Sequence, residues 1–138
     1  MRLGKDKKIE LISSVPLFSR CSRKELQQIA AAADEIELPE GKELTREGER
    51  GREFFVILDG TAEVRRKGRK IRTLESGDFL GEIALVSKSP RSATVTTTRP
   101  TRALVITDQA FGSLLRSSPQ IQTGVLEALA ERLAPELL

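Results

Sequence analysis

Two hydrophobic periods divide the chain. In residues 1–34 the apolar positions fall three or four apart, the spacing of one helix face. Ile9, Leu11 and Ile12 sit among charges and predict a short helix over 5–12. Ser14-Val15-Pro16-Leu17-Phe18 breaks it at the proline, with Val15, Leu17 and Phe18 as an apolar anchor. Ser22-Arg23-Lys24-Glu25 has hydroxyl and carboxylate three apart, the pattern of a capping box. The helix it opens carries Leu26, Ile29, Ala30 and Ala33 on one face.

From residue 35 the period shortens. Glycines at 41, 48, 51, 60, 68, 77 and 81 punctuate short apolar runs. The strand candidates are 35–38, 42–45, 53–58, 61–67, 70–74, 78–80, 93–98 and 101–107. Phe54-Phe55-Val56-Ile57-Leu58 reads as a buried strand closed by the Asp59-Gly60 turn signal. Ala62 and Val64 alternate with Glu63 and Arg65, so one face is covered and the other wet. Eight short strands at this spacing predict an antiparallel barrel or jelly roll.

The helical period returns at Thr107-Asp108, which suits an N-cap. Ala110, Phe111, Leu114 and Leu115 supply an apolar face, and Ser117-Ser118-Pro119 interrupts it. A last helix is expected with Ile121, Val125, Leu126, Leu129 and Leu133 inward and Pro135 ending or distorting it. The expected organisation is one domain over 1–138. Helices occupy 1–34, a β-roll spans 35–107 and C-terminal helices fill 108–138, the class mainly β with flanking helices.

Composition changes this picture mainly by exclusion. The 138 residues are 38% apolar and 31% charged, a globular balance for a chain long enough to bury one core. A net charge of +3 with interleaved signs is too mild to imply nucleic-acid binding. There is no histidine and one cysteine, Cys21. That leaves no usual ligand set for a metal and no Ser-His or Cys-His triad. Cys21 has no partner thiol and is expected to be inert. No apolar run approaches a membrane span, and the basic start lacks a signal peptide's apolar stretch. Cytoplasmic localisation is the expectation.

Candidate chemistry concentrates in Gly77-Asp78-Phe79-Leu80-Gly81-Glu82-Ile83-Ala84-Leu85-Val86-Ser87-Lys88-Ser89-Pro90-Arg91-Ser92-Ala93. Gly81 removes a side chain where backbone must come close to something. Glu82-Ile83-Ala84-Leu85 favours a short helical turn whose first N–H groups suit an anion. Arg91 follows a proline-turned loop, and its planar fork suits a phosphate. Glu82 repels an anion but accepts from a sugar hydroxyl of the same ligand. Phosphate and ribose together describe a nucleotide.

With Val15-Pro16-Leu17-Phe18, the glycines at 41, 48, 51 and 60 and this cassette, the chain resembles the cyclic nucleotide-binding domain family over nearly its whole length. The resemblance implies a phosphate-binding cassette at 80–93. It implies that Arg91 pairs with the cyclic phosphate and Glu82 takes the ribose 2′-hydroxyl. Ligand contacts follow at Leu80, Gly81, Ile83, Ala84 and Ala93, largely through backbone N–H groups. Ser92 stands where the family's threonine goes with guanine, which favours cyclic AMP over cyclic GMP. No cofactor, metal or catalytic residue is implied. A helix-turn-helix is not expected in these 138 residues, so the resemblance implies an effector protein or a homodimer mate as partner, with the C-terminal helices moving. Arg52-Glu53 departs from the family's smaller pair; a surface turn with little effect on the pocket is expected there.

The plainer readings differ in weight. Glu82 and Arg91 as an ordinary rim ion pair would be the default for isolated charges. Arg65-Arg66-Lys67-Gly68-Arg69-Lys70 is expected to be a charged hairpin end that blunts a strand edge. The stripe Leu126, Leu129, Leu133 is expected to pack inward rather than form a dimer face. A cupin-like jelly-roll enzyme lacks its histidines here, and a ligand-free module of the same fold is opposed by Gly81, Glu82 and Arg91.

Overall fold

The computed structural model describes residues 4–137, with side chains described for residues 4–131. It contains four α-helices: α1 (Lys5–Ser13), α2 (Arg23–Ala31), α3 (Asp108–Ser117) and α4 (Pro119–Leu137). Eight strands lie between α2 and α3: β1 (Asp34–Leu38), β2 (Glu43–Thr45), β3 (Glu53–Asp59), β4 (Ala62–Arg66), β5 (Arg69–Leu74), β6 (Phe79–Leu80), β7 (Thr94–Thr97) and β8 (Thr101–Thr107). Each overlaps one of the eight sequence-predicted segments. The chain divides into two compact units: a helical one up to Ala33 and from Gln109, and a β unit of Asp34–Asp108.

The β unit is a roll of two four-stranded antiparallel sheets. One has the order β1-β8-β3-β6, the other β2-β7-β4-β5. The Asp59-Gly60 turn therefore carries the chain from one sheet to the other. β3 is central in the first sheet, and Phe54, Phe55, Val56 and Ile57 are all buried, as a strand covered on both faces requires. Ile57, Ala62, Leu74 and Val95 form the core between the sheets, with Leu44, Val64 and Leu80 packed against it. β4 and β5 form a hairpin whose end pair is Arg66 and Arg69. Lys67 and Gly68 between them both have positive φ, 53° and 77°, as a tight two-residue hairpin turn demands. The basic run is thus a hairpin end, with β5 as an exposed edge strand.

In the helical unit the capping box forms as the sequence predicts. Glu25 N–H donates to Ser22 Oγ, and Ser22 N–H donates to the Glu25 carboxylate. Phe18 and Phe111 stack in a tilted pair with ring centroids 5.6 Å apart. Ser118 caps α4 by accepting from Ile121 N–H at 3.2 Å, with Pro119 at the first helical position. Cys21 is free and half-buried; burial first, then nearby Glu25, push its thiol up to about 11. So high a value keeps it protonated and unreactive near neutral pH.

One expectation for α4 fails, that Leu126 points inward. Its buried positions are Ile121, Gly124, Val125 and Ala128, while Leu126 is 66% exposed and Leu129 half-buried. At 100° per residue, 121, 125 and 128 share a face that 126 cannot join. Leu133 lies outside the residues with described side chains. The helix also runs through Pro135 to Leu137. A proline removes only its own N–H and clashes with one preceding carbonyl, and a helix near its last turn absorbs that locally.

Candidate functional site: an anion cradle in the β-roll

The site lies wholly in the β unit, where a cavity of about 470 Å³ opens beside the cassette. β6 delivers the chain to it by pairing with β3, Phe55 opposite Leu80 and Val56 opposite Phe79. Gly81 then turns the backbone with φ +81°. A side chain there would be strained by the torsion, and its Cβ would also lie 2.7 Å from Glu53 O. The next four residues, Glu82–Leu85, form a 3₁₀ turn. Leu85 is buried and anchors the turn, whereas Ile83 is 42% exposed.

All eight sequence-predicted site residues line this one cavity: Leu80, Gly81, Glu82, Ile83, Ala84, Arg91, Ser92 and Ala93. Glu82 is buried although it is a carboxylate. It holds the first position of the turn, with Gly81 alone between it and the end of β6. One predicted detail changes. The Ala84 N–H donates to Gly81 O at 3.0 Å, so the turn itself uses that donor. A 3₁₀ turn closes its hydrogen bonds one residue sooner than an α-helix, which leaves fewer free N–H groups at its start.

Arg91 is half-buried at the far end of the cassette. Its Nη2 donates to Glu53 O at 2.5 Å. Its Nε is buried with no hydrogen-bond partner. Burial pulls the guanidinium pKa down from its usual value, and the Glu53 carboxylate works against that. Among the described residues no ion pair joins Arg91 to Glu82, so the plain rim-pair reading does not describe this site. The charge is partly out of water, held by a backbone carbonyl, with a donor unmatched. A buried donor without an acceptor costs roughly 1–3 kcal/mol, which an incoming anion would relieve.

The opposite wall was not legible as a site in the sequence. Val64, Arg66, Arg72 and Leu74 of the β4–β5 hairpin line the cavity, with Val95 of β7 and Thr45 of β2. Register puts them there. Val64 pairs with Arg72 on one side and Val95 on the other, and Ala62 pairs with Leu74. Leu74 is buried, so Arg72 two residues earlier shares its inward face. Arg66 Nε donates to Ser92 O at 3.0 Å and ties the hairpin to the cassette. The only sequence signal was the two-residue spacing of Arg72 and Leu74.

Arg52-Glu53 is not the surface turn expected, since Glu53 opens β3, and it bears on the pocket. Glu53 supplies the carbonyl that holds Arg91, as the first residue of β3. Arg52 O accepts from Asp108 N–H at 2.7 Å. Among the described residues no cluster of three or more His, Cys, Asp or Glu is placed to hold a metal, and no helix is long and apolar enough to cross a membrane.

The chain belongs to the cyclic nucleotide-binding domain family, whose profile matches residues 35–118. Among curated proteins it is 35% identical to a cAMP-dependent protein kinase regulatory subunit of Mycosarcoma maydis, over 92% of this chain and 24% of that protein. It is 33% identical to a cyclic nucleotide-gated potassium channel of Rhizobium etli, over 89% of this chain and 34% of the channel. The chain thus spans about a quarter to a third of these relatives. Among solved structures, the N-terminal domain of a transcriptional regulator from Streptomyces coelicolor aligns with a TM-score of 0.81 at 25% identity, covering 91% of this chain and 94% of that one.

Proposed function

We propose that the protein is a non-catalytic receptor for a 3′,5′-cyclic nucleotide. The observation that carries this is the half-buried Arg91, whose Nε has no acceptor, in the same cavity as the buried Glu82. The cyclic phosphate completes the hydrogen bonding of Arg91, and the ribose 2′-hydroxyl donates to Glu82. Family membership supports the same ligand class. The relatives are named as a kinase regulatory subunit and a gated channel, so a role in regulating another protein fits.

Cyclic AMP is the first reading for the ligand, from Ser92 beside the phosphate clamp. A second reading, cyclic GMP, is favoured by Arg72 in the opposite wall. An arginine offers only donors. Guanine presents two acceptors, O6 and N7, on one edge, where adenine presents an acceptor and an amino donor. On either reading, α3 and α4 carry the signal to an effector protein or a second copy. A ligand moves such an equilibrium only by its differential affinity for the two states.

Calorimetric titration with cyclic AMP and cyclic GMP tests the proposal. Saturable one-to-one binding of either, with a matching rise in Tm, is expected. No heat and no thermal shift with both ligands at millimolar concentration would sink it. Hydrogen exchange of residues 108–131 with and without ligand tests the helix signal, and unchanged protection there would remove it.

A further inference from the structure

The loop between β2 and β3, residues 46–52, has no side chain in the cavity lining, yet it holds Arg91 from several sides. Gly48 N–H donates to Arg91 O at 2.9 Å, and Arg91 N–H donates to Glu49 O at 2.8 Å. Arg50 and Pro90 form an isolated antiparallel bridge beside them. The side chain then folds back over the same loop. A Cβ built on Gly51 would coincide with the Arg91 guanidinium, overlapping Nε, Cζ and Nη2.

Gly51 and Gly81 both make room for this guanidinium, since a Cβ on Gly81 would run into Arg91 Nη1, but Gly81 is required by its torsion as well. Gly51 is not among the residues with positive φ, so its torsions are open to ordinary side chains. What excludes a side chain is the space, which the guanidinium already fills. We infer that Gly51 is a positioning residue for the anion clamp. Its missing side chain forms the seat that sets Arg91 Nε inside the roll and brings Nη2 to Glu53 O. A bulky residue at 51 would push the guanidinium off Glu53 O and out of line with a ligand phosphate. The consequence for ligand rests on the proposed function, whereas the seat itself does not.

Three variants of the full chain decide this: Gly51→Val, Arg91→Ala and the double substitution. Unfolding is followed without ligand, and binding is titrated with cyclic AMP and cyclic GMP up to millimolar concentration. Gly51→Val is expected to lower Tm and to weaken binding at least about tenfold, or about 1.4 kcal/mol. In the Arg91→Ala background the same change should alter affinity by less than about twofold, because the side chain it acts through is gone. The double variant should also melt above Gly51→Val alone, since the overlap is relieved. Equal losses of affinity in both backgrounds, wild-type affinity for Gly51→Val, or a double variant less stable than Gly51→Val would each overturn the inference. Should Gly51→Val not fold, a folded double variant supports the seat and an unfolded one overturns it. If the wild-type chain binds neither nucleotide, the receptor proposal fails, while the melting comparison still decides the role of Gly51.

Discussion

The two walls of the cavity are built in opposite ways. The cassette wall is a single local run, Leu80 to Ala93, shaped by a left-handed glycine, a 3₁₀ turn and a proline-turned loop. The hairpin wall is assembled from β4, β5 and β7, and its members meet only because those strands pair in one register. The cassette carries a backbone-held arginine and a buried carboxylate, groups that fit phosphate and ribose. The hairpin carries an apolar surface of Val64, Leu74 and Val95, rimmed by Arg66 and Arg72, which fits a base with acceptors on its edge. On the proposed function, the common part of a cyclic nucleotide would fall to the local motif, and the variable part to the non-local one.

Substitutions separate the walls. The largest effect is expected from Arg91→Ala, a loss of at least about 100-fold in affinity for cyclic AMP and cyclic GMP alike, because it removes the one cation among the cassette residues that line the cavity. Parallel titrations read it, and unequal losses would mean that the cassette also selects the base. Glu82→Gln should cost both ligands about tenfold, since a charge-assisted bond becomes an ordinary one. A 2′-deoxy cyclic nucleotide should then lose less affinity against Glu82→Gln than against the wild type, and equal losses in the two backgrounds would detach Glu82 from the ribose.

The hairpin wall should respond in ratio rather than in total. Arg72→Ala is expected to shift the preference away from cyclic GMP by about fivefold, at the low end of an arginine–guanine contact. An unchanged ratio would remove Arg72 from base recognition. Smallest is Ser92→Thr, expected to favour cyclic GMP by about threefold through one added methyl beside a retained hydroxyl. Competition between the two nucleotides measures it, and a shift larger than that of Arg72→Ala would move base selection to the cassette.

Much of this was legible in the chain. The capping box at Ser22 and Glu25, the strand of Phe54 to Ile57 and the charged hairpin end at 65–70 follow from spacing and turn chemistry, which act between near neighbours. The cassette was legible for the same reason. Leu126 was misjudged because several apolar residues crowd α4 and only packing selects which face is inward.

By itself, then, the sequence determined a β-roll between helices and a glycine-turned short helical motif after β6, because periodicity and turn chemistry are local. Tertiary structure alone decided that Arg72 and Arg66 line the same cavity as Glu82 and that Gly51 makes room for Arg91. Those pairs lie far apart along the chain. Nothing in either partner's neighbourhood encodes the other, and strand register and close packing are what bring them together.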